Sequence, residues 1–356
     1  MMRKIILITT LFLLAVICTP ATLAQIGEVW SYESSNPLYS VDITPDGNKI
    51  LSGGGGSQFI LMNSATGTPE FTKKVTGTVT SLAIAAESGD IAIVTASKQL
   101  FLFDKNGGIK WNLGLTEDLS SVGISPDGKL IVVGTIGGYV HLIDSSKNEM
   151  FAKRIDTLPI FSVAINDAGD RIAAGSSTVY LLDALGTELW SSVASRDLAS
   201  IDIADNTIAA ASGAGILYIY DMGGNELSSY KISYPLTSVS ISATGKYIAL
   251  GTKSTNLYLL EGRENPMPIF EHKLKQDVTG VALTNDGTHL VAVSEKGNIY
   301  YFDTGVEPDI IAVGEPEPVV IDGLEEKSTD DEVPETPGFT GIFVISGLVL
   351  AALFRK

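Results

Sequence analysis

The chain has 356 residues, of which 45% are hydrophobic, 18% are charged and 36 are glycine. This composition excludes a disordered chain, and the glycine excess indicates many turns. The 41 acidic residues outnumber the 24 basic ones and give a net charge of −17. We therefore expect no nucleic-acid partner, because such a chain repels phosphates. Cysteine occurs once in the sequence, at Cys18, which excludes a disulfide framework and a zinc site built on cysteines.

Residues 1–24 have the pattern of a secretory signal peptide. Arg3 and Lys4 precede an apolar run over 5–17, and Ala24 stands before Gln25. A basic start, a short apolar stretch and small residues at its end are typical of a segment that signal peptidase removes. The apolar run has 13 residues, too few to cross a hydrocarbon core of about 30 Å comfortably. We predict export, with cleavage between Ala24 and Gln25.

One pattern recurs seven times in the middle of the chain. Its first landmark, a Ser-apolar-x-Ile segment in most copies, begins at Ser40, Ser81, Ser121, Ser162, Ser200, Ser238 and Gly280. The second landmark is a hydrophobic strand that ends at Asn63, Asp104, Asp144, Asp183, Asp221, Glu261 and Asp303. The landmarks lie 23 residues apart in five copies and 21 in two. A deletion of two residues preserves the in–out alternation of a strand, so both short copies keep the same strand pattern.

Each copy predicts four strands and no helix. Apolar residues alternate with period two, and turns such as Pro126-Asp127-Gly128 separate the strands. Repeats of about 40 residues with this pattern indicate an all-β chain, a single seven-bladed β-propeller of four-stranded antiparallel blades over 25–305. The last copy lacks an aromatic fourth strand, whereas residues 27–30 match 108–111 and 187–190. We therefore predict that the N-terminal strand closes the last blade.

The small residues that follow the first landmark carry a second prediction. We expect them to face larger apolar side chains of the next blade: Ala83, Gly123, Ala164 and Ala282.

Two known repeat families resemble these copies. The segment Ser-Val-Gly-Ile-Ser-Pro-Asp-Gly-Lys at 121–129 is similar to the WD40 repeat. The strand ending at Asp183, followed by Gly186 and Leu189-Trp190, is similar to the PQQ-like (quinoprotein-type) repeat. The resemblance implies a propeller fold and a binding platform. The copies lack the Gly-His dipeptide and a Trp directly before the landmark acid, so the His–Asp network of WD40 domains is not carried over.

The C-terminal region predicts a stalk and a sorting signal. Residues 306–337 carry eleven acidic side chains, one lysine and several prolines, a composition typical of an extended, disordered linker. Pro337, Gly338 and Phe339 then precede a short apolar helix and a basic end, over 338–356. This order resembles the PGF-CTERM sorting signal of archaeal surface proteins, which implies an archaeosortase-like processing enzyme and attachment to a membrane lipid. The alternative is a plain transmembrane helix, and both place the propeller on the extracellular face of the membrane.

Catalytic and metal-binding patterns are weak in this sequence. The histidines His141, His272 and His289 fall in different copies, and His141 occupies a strand position where other copies have Phe, Tyr or Ile. We expect them to be packing residues rather than metal ligands. The segments 166–170 and 104–106 have the composition of calcium loops, but Asp, Asn and Gly suit these turns by themselves. We expect no cofactor, and calcium is the one ion for which candidates exist.

One set of acidic residues stands out as a candidate site. Three residues before the first landmark lie Asp118, Asp197 and Asp277, which come from blades three, five and seven. In a propeller this loop leads into the innermost strand, so three carboxylates at one channel mouth could hold a cation. The alternative is that aspartate suits a turn at a strand entry.

Two classes of function remain open from the sequence. The first is a non-catalytic platform at the cell surface that binds an unknown surface protein or glycan. The second is an extracellular propeller enzyme, a lyase or glycosidase that uses carboxylates at the channel mouth. The sequence offers single aspartates, one per loop, rather than an evident catalytic pair, and this favours the platform.

Overall fold

The structure of the chain, a computed structural model, describes residues 27–194, 197–204 and 206–309. Three predictions lie outside these residues: the signal peptide with its cleavage between Ala24 and Gln25, the linker beyond residue 309, and the sorting motif Pro337-Gly338-Phe339. Among the described residues, no helix has the length and apolar character needed to span a membrane.

The described residues form seven four-stranded antiparallel sheets, as the repeats predict. The first strand of the chain is β1 (Gly27–Glu33). Blade 1 consists of β2 (Leu38–Ile43), β3 (Lys49–Gly54), β4 (Gln58–Asn63) and β5 (Thr68–Lys74), with a 3₁₀ turn at Gly55–Ser57. Blade 2 consists of β6 (Val79–Ile84), β7 (Ile91–Thr95), β8 (Gln99–Phe103) and β9 (Ile109–Gly114). Blade 3 consists of β10 (Leu119–Ile124), β11 (Leu130–Thr135), β12 (Tyr139–Asp144) and β13 (Glu149–Arg154).

The remaining blades repeat this order. Blade 4 consists of β14 (Ser162–Ile165), β15 (Arg171–Gly175), β16 (Thr178–Asp183) and β17 (Glu188–Val193). Blade 5 consists of β18 (Leu198–Ala204), β19 (Thr207–Ser212), β20 (Ile216–Tyr220) and β21 (Glu226–Lys231). Blade 6 consists of β22 (Leu236–Ile241), β23 (Tyr247–Thr252), β24 (Asn256–Glu261) and β25 (Met267–Lys273). Blade 7 contains β26 (Val278–Leu283), β27 (His289–Ser294) and β28 (Asn298–Asp303).

The first strand completes blade 7. β1 pairs antiparallel with β28, and Trp30 lies opposite Tyr301. The innermost strands contact one another around the ring, and β2 of blade 1 meets β26 of blade 7. The prediction that an N-terminal strand closes the last blade is therefore confirmed, and the closure removes the open edge that a lone three-stranded blade would present.

The hydrophobic core is divided among the contacts between adjacent blades, which we call seams. Each of the seven buried clusters draws its side chains from two neighbouring blades. This follows from strand geometry, because alternate side chains of one strand point to opposite faces of its sheet. In β12, Val140 and Leu142 pack against blade 4, whereas Ile143 packs against blade 2.

The small residues after the first landmark lie in these seams as expected. Ala83 packs with Val122 and Ile124 of the next blade. Ala164 lies in the cluster of Ile201 and Ile203, and Ala282 in the cluster of Val41 and Ile43. At Gly123, an added Cβ would lie 3.1 Å from Val132 Cγ1 in the same blade and 3.6 Å from the backbone of Ala164 in the next, so the position leaves little room for a side chain.

The chain does not leave the propeller at Asp303. Thr304 donates its hydroxyl to the Gly287 carbonyl at 2.7 Å, and Asp309 is buried against the turn of blade 6. Its carboxylate accepts bonds from the Ser242 hydroxyl at 2.5 Å, the Thr244 hydroxyl at 2.7 Å and the Thr244 amide at 3.0 Å. Residues 306–309, which the composition assigns to the linker, are therefore docked on the propeller, because Asp309 finds three donors there.

Candidate functional site

Two surfaces of the propeller are available for binding, and we name them by their connections. The turn face carries the links between the first and second strands of each blade, and Pro45, Pro126 and Asn285 of these links line its channel mouth. The loop face is the opposite end, where the fourth strand of one blade leads into the first strand of the next. A central channel lined by the seven innermost strands joins the two faces.

Serine hydroxyls of the first landmark join the innermost strands. In six seams a backbone N–H of one blade donates to the serine Oγ of the preceding blade, at 3.0–3.3 Å. The acceptors are Ser40, Ser81, Ser121, Ser162, Ser200 and Ser238. In the seventh seam Gly280 replaces serine, and a Cβ there would lie 3.3 Å from Val41. The recurring serine is thus explained by structure rather than by chemistry at a site.

Two carboxylates in the channel join neighbouring innermost strands in the same way as the serine hydroxyls do. Asp42 and Asp202 occupy the position after the apolar residue of the landmark, in blades 1 and 5. Asp42 accepts the N–H of Ile43 at 2.8 Å and that of Ile84, in the next blade, at 2.9 Å. Asp202 accepts two backbone N–H groups, each at 2.9 Å, one of them from blade 6. Each carboxylate therefore bridges two innermost strands.

The surroundings of these two carboxylates oppose ionisation. Burial raises the pKa of Asp42 to about 7, although its two backbone N–H bonds favour the charged form, and the nearby Asp202 raises this pKa further. Burial likewise raises the pKa of Asp202 to about 6. The channel therefore holds two carboxyl groups that change charge near neutral pH.

The candidate cation site does not assemble from its three aspartates. Asp118 is exposed on the loop face and lies 3.6 Å from Lys98 Nζ. Asp197 is also exposed, and Asp277 is half-buried. Within 27–194, 197–204 and 206–309, no three His, Cys, Asp or Glu side chains are close enough to hold a metal ion. Asp118, Asp197 and Asp277 are therefore not brought together into such a group.

The other polar candidates occupy structural positions. His272 stacks on Phe270 at 5.7 Å, and His289 stacks on Tyr301 at 5.4 Å. The segment 166–170 is a turn in which Asn166 accepts the N–H of Asp170. The segment 104–106 is also a turn, and the Asp104 carboxylate accepts the N–H of Asn106 at 2.8 Å. His141 is buried in β12, as expected, but its Nδ1 also lies 2.7 Å from the Glu149 carboxylate, a contact that a plain packing residue does not make.

Asp42 and Asp202 were not among the predicted site residues, although both lie within the first landmark. A signal was present, because the same position holds Ala, Gly or Ser in the other copies. A carboxylate at one position of a repeat whose equivalents are small indicates a local role. That these two carboxylates are buried in the channel, and that their pKa values are raised, could be recognised only from the geometry of the closed ring.

Comparison with known proteins points to the WD40 class. Residues 86–166 match the model of the anaphase-promoting complex subunit 4 WD40 domain. The chain is also 26% identical over 170 residues to Protein groucho of Drosophila melanogaster, a match that covers 45% of this chain and 22% of groucho. The chain thus matches about a fifth of the length of that curated relative. Together with the seven-bladed ring, these similarities support a WD40-like propeller, whereas the quinoprotein-type and sorting-signal resemblances stay predictions.

Proposed function

We propose that this protein is an exported, membrane-anchored cell-surface propeller that serves as a non-catalytic binding or scaffolding platform for a protein or glycan partner. The observation that carries the proposal is the closed ring of seven blades, in which the recurring polar residues of the innermost strands bond to neighbouring blades. Such a scaffold holds the connecting loops in place and leaves them free to bind. WD40-like propellers commonly bind protein partners, which favours a protein over a glycan.

The loop face has the character of a binding surface. Ile136, Leu158 and Tyr234 lie in its connections and expose large apolar side chains. Exposed apolar and aromatic side chains on a rigid frame are typical of contact sites in protein interfaces. Asp118 adds a polar group next to Ile136, whose N–H donates to the Asp118 carbonyl at 2.9 Å.

Export and anchoring rest on the sequence of the two ends. The segment 1–24 has the pattern of a signal peptide, and 306–356 has the order of linker, Pro-Gly-Phe, apolar stretch and basic end. Mass spectrometry of the protein from native membranes should give an N-terminus at Gln25 and loss of the residues beyond the Pro337 region. A chain that still ends at Lys356 would indicate a transmembrane anchor instead, and a soluble cytoplasmic protein with an intact Met1 would contradict export.

Paired substitutions on the two faces test the platform role. Leu158→Asp changes an exposed residue of the loop face, and Leu185→Asp changes a more exposed one on the turn between β16 and β17. We expect partners captured from native membranes to be lost with Leu158→Asp and kept with Leu185→Asp. Loss or retention of the same partners with both variants would contradict binding at the loop face.

A further inference from the structure

The repeats provide an internal comparison that separates His141 from its equivalents. His141 lies three residues before the second landmark of blade 3. The same position in the other six blades holds apolar or tyrosine side chains: Ile60, Phe101, Tyr180, Tyr218, Tyr258 and Tyr300. The fold is therefore satisfied by an aromatic or aliphatic residue, and it does not require an imidazole.

A second departure from the repeat lies in the same seam. Glu117 stands four residues before the first landmark of blade 3, and the equivalents in the other copies are Asn36, Gly77, Leu158, Arg196, Tyr234 and Gln276. Glu117 is thus the only acidic residue at this position of the repeat. It lies in the connection from blade 2 to blade 3, and its Oε2 is 3.9 Å from His141 Nε2. Two unusual residues that meet at one place indicate a local role beyond packing.

The contacts of His141 leave one of its nitrogen atoms without a partner. The residue is 4% exposed, and its Nδ1 lies 2.7 Å from Glu149 Oε1. Because an ionised carboxylate only accepts hydrogen bonds, Nδ1 carries a proton, and in the tautomer that bears no second proton Nε2 is an acceptor. Nε2 is buried without a hydrogen-bond partner and lies 3.9 Å from Glu117 Oε2. An unpaired buried acceptor costs about 1–3 kcal/mol, so a donor at this point would be stabilising.

A pocket opens at this seam. It has a volume of about 290 Å³, and Glu117, Tyr139, His141 and Glu149 contribute to its walls. The side chains of Glu117 and Glu149 are 26% and 46% exposed, so both reach the pocket from the solvent side. A hydrogen bond with the Thr116 side chain, and to a smaller extent the charge of Lys98, lower the pKa of Glu117 and keep its carboxylate ionised. Lys98 Nζ itself donates to the Thr116 carbonyl at 2.9 Å and lies 3.6 Å from Asp118.

We infer that this pocket binds an organic cation, the ammonium or guanidinium group of a lysine or arginine side chain or of a free amine, between Glu117 and His141 Nε2. A nitrogen donor at about 2.9 Å from both atoms spans their separation. Nε2 itself is buried, so the cation reaches it from the pocket by way of the Glu117 carboxylate, whose side chain is 26% exposed. The two glutamates supply the negative charge, and Tyr139 offers a ring beside it.

The hydrogen-bond donors of the cation distinguish this site from a metal centre. No three acidic, histidine or cysteine side chains in the described part of the chain converge on one point. At this pocket Glu149 engages the opposite nitrogen of the ring, which leaves Glu117 and Nε2 as the two groups that face a ligand. Two such groups suit a donor that forms directional hydrogen bonds, and they provide half of the four ligands that zinc takes in structural sites. Binding of a cation at this pocket does not depend on anchoring of the protein at the cell surface.

Titration calorimetry of the full-length chain tests the site with two probes. Agmatine represents a free amine, and a Gly-Arg-Gly peptide with blocked ends represents a protein side chain. We expect saturable binding of at least one probe at a single site, weakened about tenfold or more by His141→Tyr and by Glu117→Gln. His141→Tyr introduces the residue that blades 4 to 7 carry, so the fold should be retained. Tyr180→Phe, at the equivalent position of the next blade, is the matched control and should bind as the wild type does.

The two probes distinguish a protein side chain from a free amine as the source of the cation. Binding of the peptide alone supports a protein side chain as the ligand, and binding of agmatine alone supports a free amine. In either case the Nε2 resonance of His141 should shift in a long-range ¹H–¹⁵N spectrum as the probe is added. The inference is overturned if neither probe binds at 10 mM, roughly the weak limit of specific recognition. It is also overturned if His141→Tyr binds as the wild type does, or if zinc displaces the probe at equimolar concentration.

Discussion

The indole Nε1–H of Trp30 donates a hydrogen bond of 2.6 Å to the carbonyl oxygen of Ser64. Trp30 lies in β1, the outer strand of blade 7, and Ser64 lies in a turn of blade 1, so this bond joins the two ends of the ring. The same bond recurs between Trp111 and Ser145 at 2.8 Å and between Trp190 and Met222 at 3.0 Å. Every tryptophan of the sequence therefore ties an outer strand to the following blade.

Replacing Trp30 should weaken the closure of the ring. The Trp30 ring stacks on Tyr301 at 5.2 Å and packs in the cluster between blades 7 and 1. We expect Trp30→Ala to lower the free energy of unfolding by about 2–4 kcal/mol. Trp30→Phe keeps the stacking and loses the hydrogen bond, at a cost of about 1 kcal/mol. Urea unfolding followed by circular dichroism measures both, and equal losses in the two variants would show that the ring packing contributes little.

The turns beneath Trp30 and Trp190 each place a glycine against the indole, Gly67 and Gly224, whereas the turn beneath Trp111 has Lys147 at a φ of +74°. Gly224 has a φ of +85°, and a Cβ added there would lie 2.8 Å from the Trp190 ring. We expect Gly224→Ala to destabilise the protein by about 2 kcal/mol or more, from backbone strain and displacement of the indole. Gly213 is the matched control, because its nearest neighbour would be 3.6 Å away and its substitution by Ala should change stability by about 0.5 kcal/mol or less. Similar melting temperatures for the two variants would contradict the role of the turn.

The channel carboxyl of Asp42 should make stability depend on pH. Burial raises its pKa from 3.8 to about 7, so the folded state binds the proton more tightly than the unfolded chain. The resulting stabilisation is complete below about pH 4 and is lost as the pH rises through 7. A shift of three pKa units would correspond to about 4 kcal/mol in the free energy of unfolding. Because the side chain faces a channel that admits water, which weakens the effect of burial, we expect a change of about 2 kcal/mol.

A serine substitution isolates this effect. Ser240 holds the equivalent position in blade 6 and accepts the N–H of Leu283 at 3.1 Å, so Asp42→Ser should keep the bond to Ile84 without a titratable group. Between pH 5 and pH 8 the wild type should lose stability relative to Asp42→Ser, as measured by urea unfolding at each pH. A constant difference between the two proteins across this range would show that Asp42 titrates normally.

The docked segment after blade 7 should contribute measurably to stability. Asp309→Ala removes the acceptor of three hydrogen bonds from Ser242 and Thr244 and leaves buried donors without a partner. We expect a loss of about 2–4 kcal/mol in the free energy of unfolding and faster proteolysis after residue 303. Glu307→Ala is the control, because Tyr247 bonds the backbone carbonyl of Glu307 rather than its side chain. Cleavage at the same rate in both variants would mean that the carboxylate does not hold the segment.

The repeat alone was enough to predict the blades. Strand alternation is a local property, and the spacing between landmarks preserved it even in the two short copies. The pairing of Trp30 with β28 was also predictable, because the last copy lacked the outer strand that residues 27–30 match. The turns at Asp104 and Asn166 were predictable from the residue types, because Asp and Asn side chains accept hydrogen bonds from backbone N–H groups two to five positions away.

The tertiary structure alone decided which polar residues share a seam. His141 and Glu117 are 24 residues apart in the sequence, and they meet because the connection that leads into blade 3 lies beside β12 in the folded chain. The same holds for Asp42, whose pKa is raised because seven strands from the whole chain surround the channel. Asp118, Asp197 and Asp277 show the converse, since equal positions in the repeat did not bring three carboxylates together. A repeat determines which side chains lie on each face of a strand. The burial of these side chains, and the distances between residues of different blades, are determined only when the ring closes.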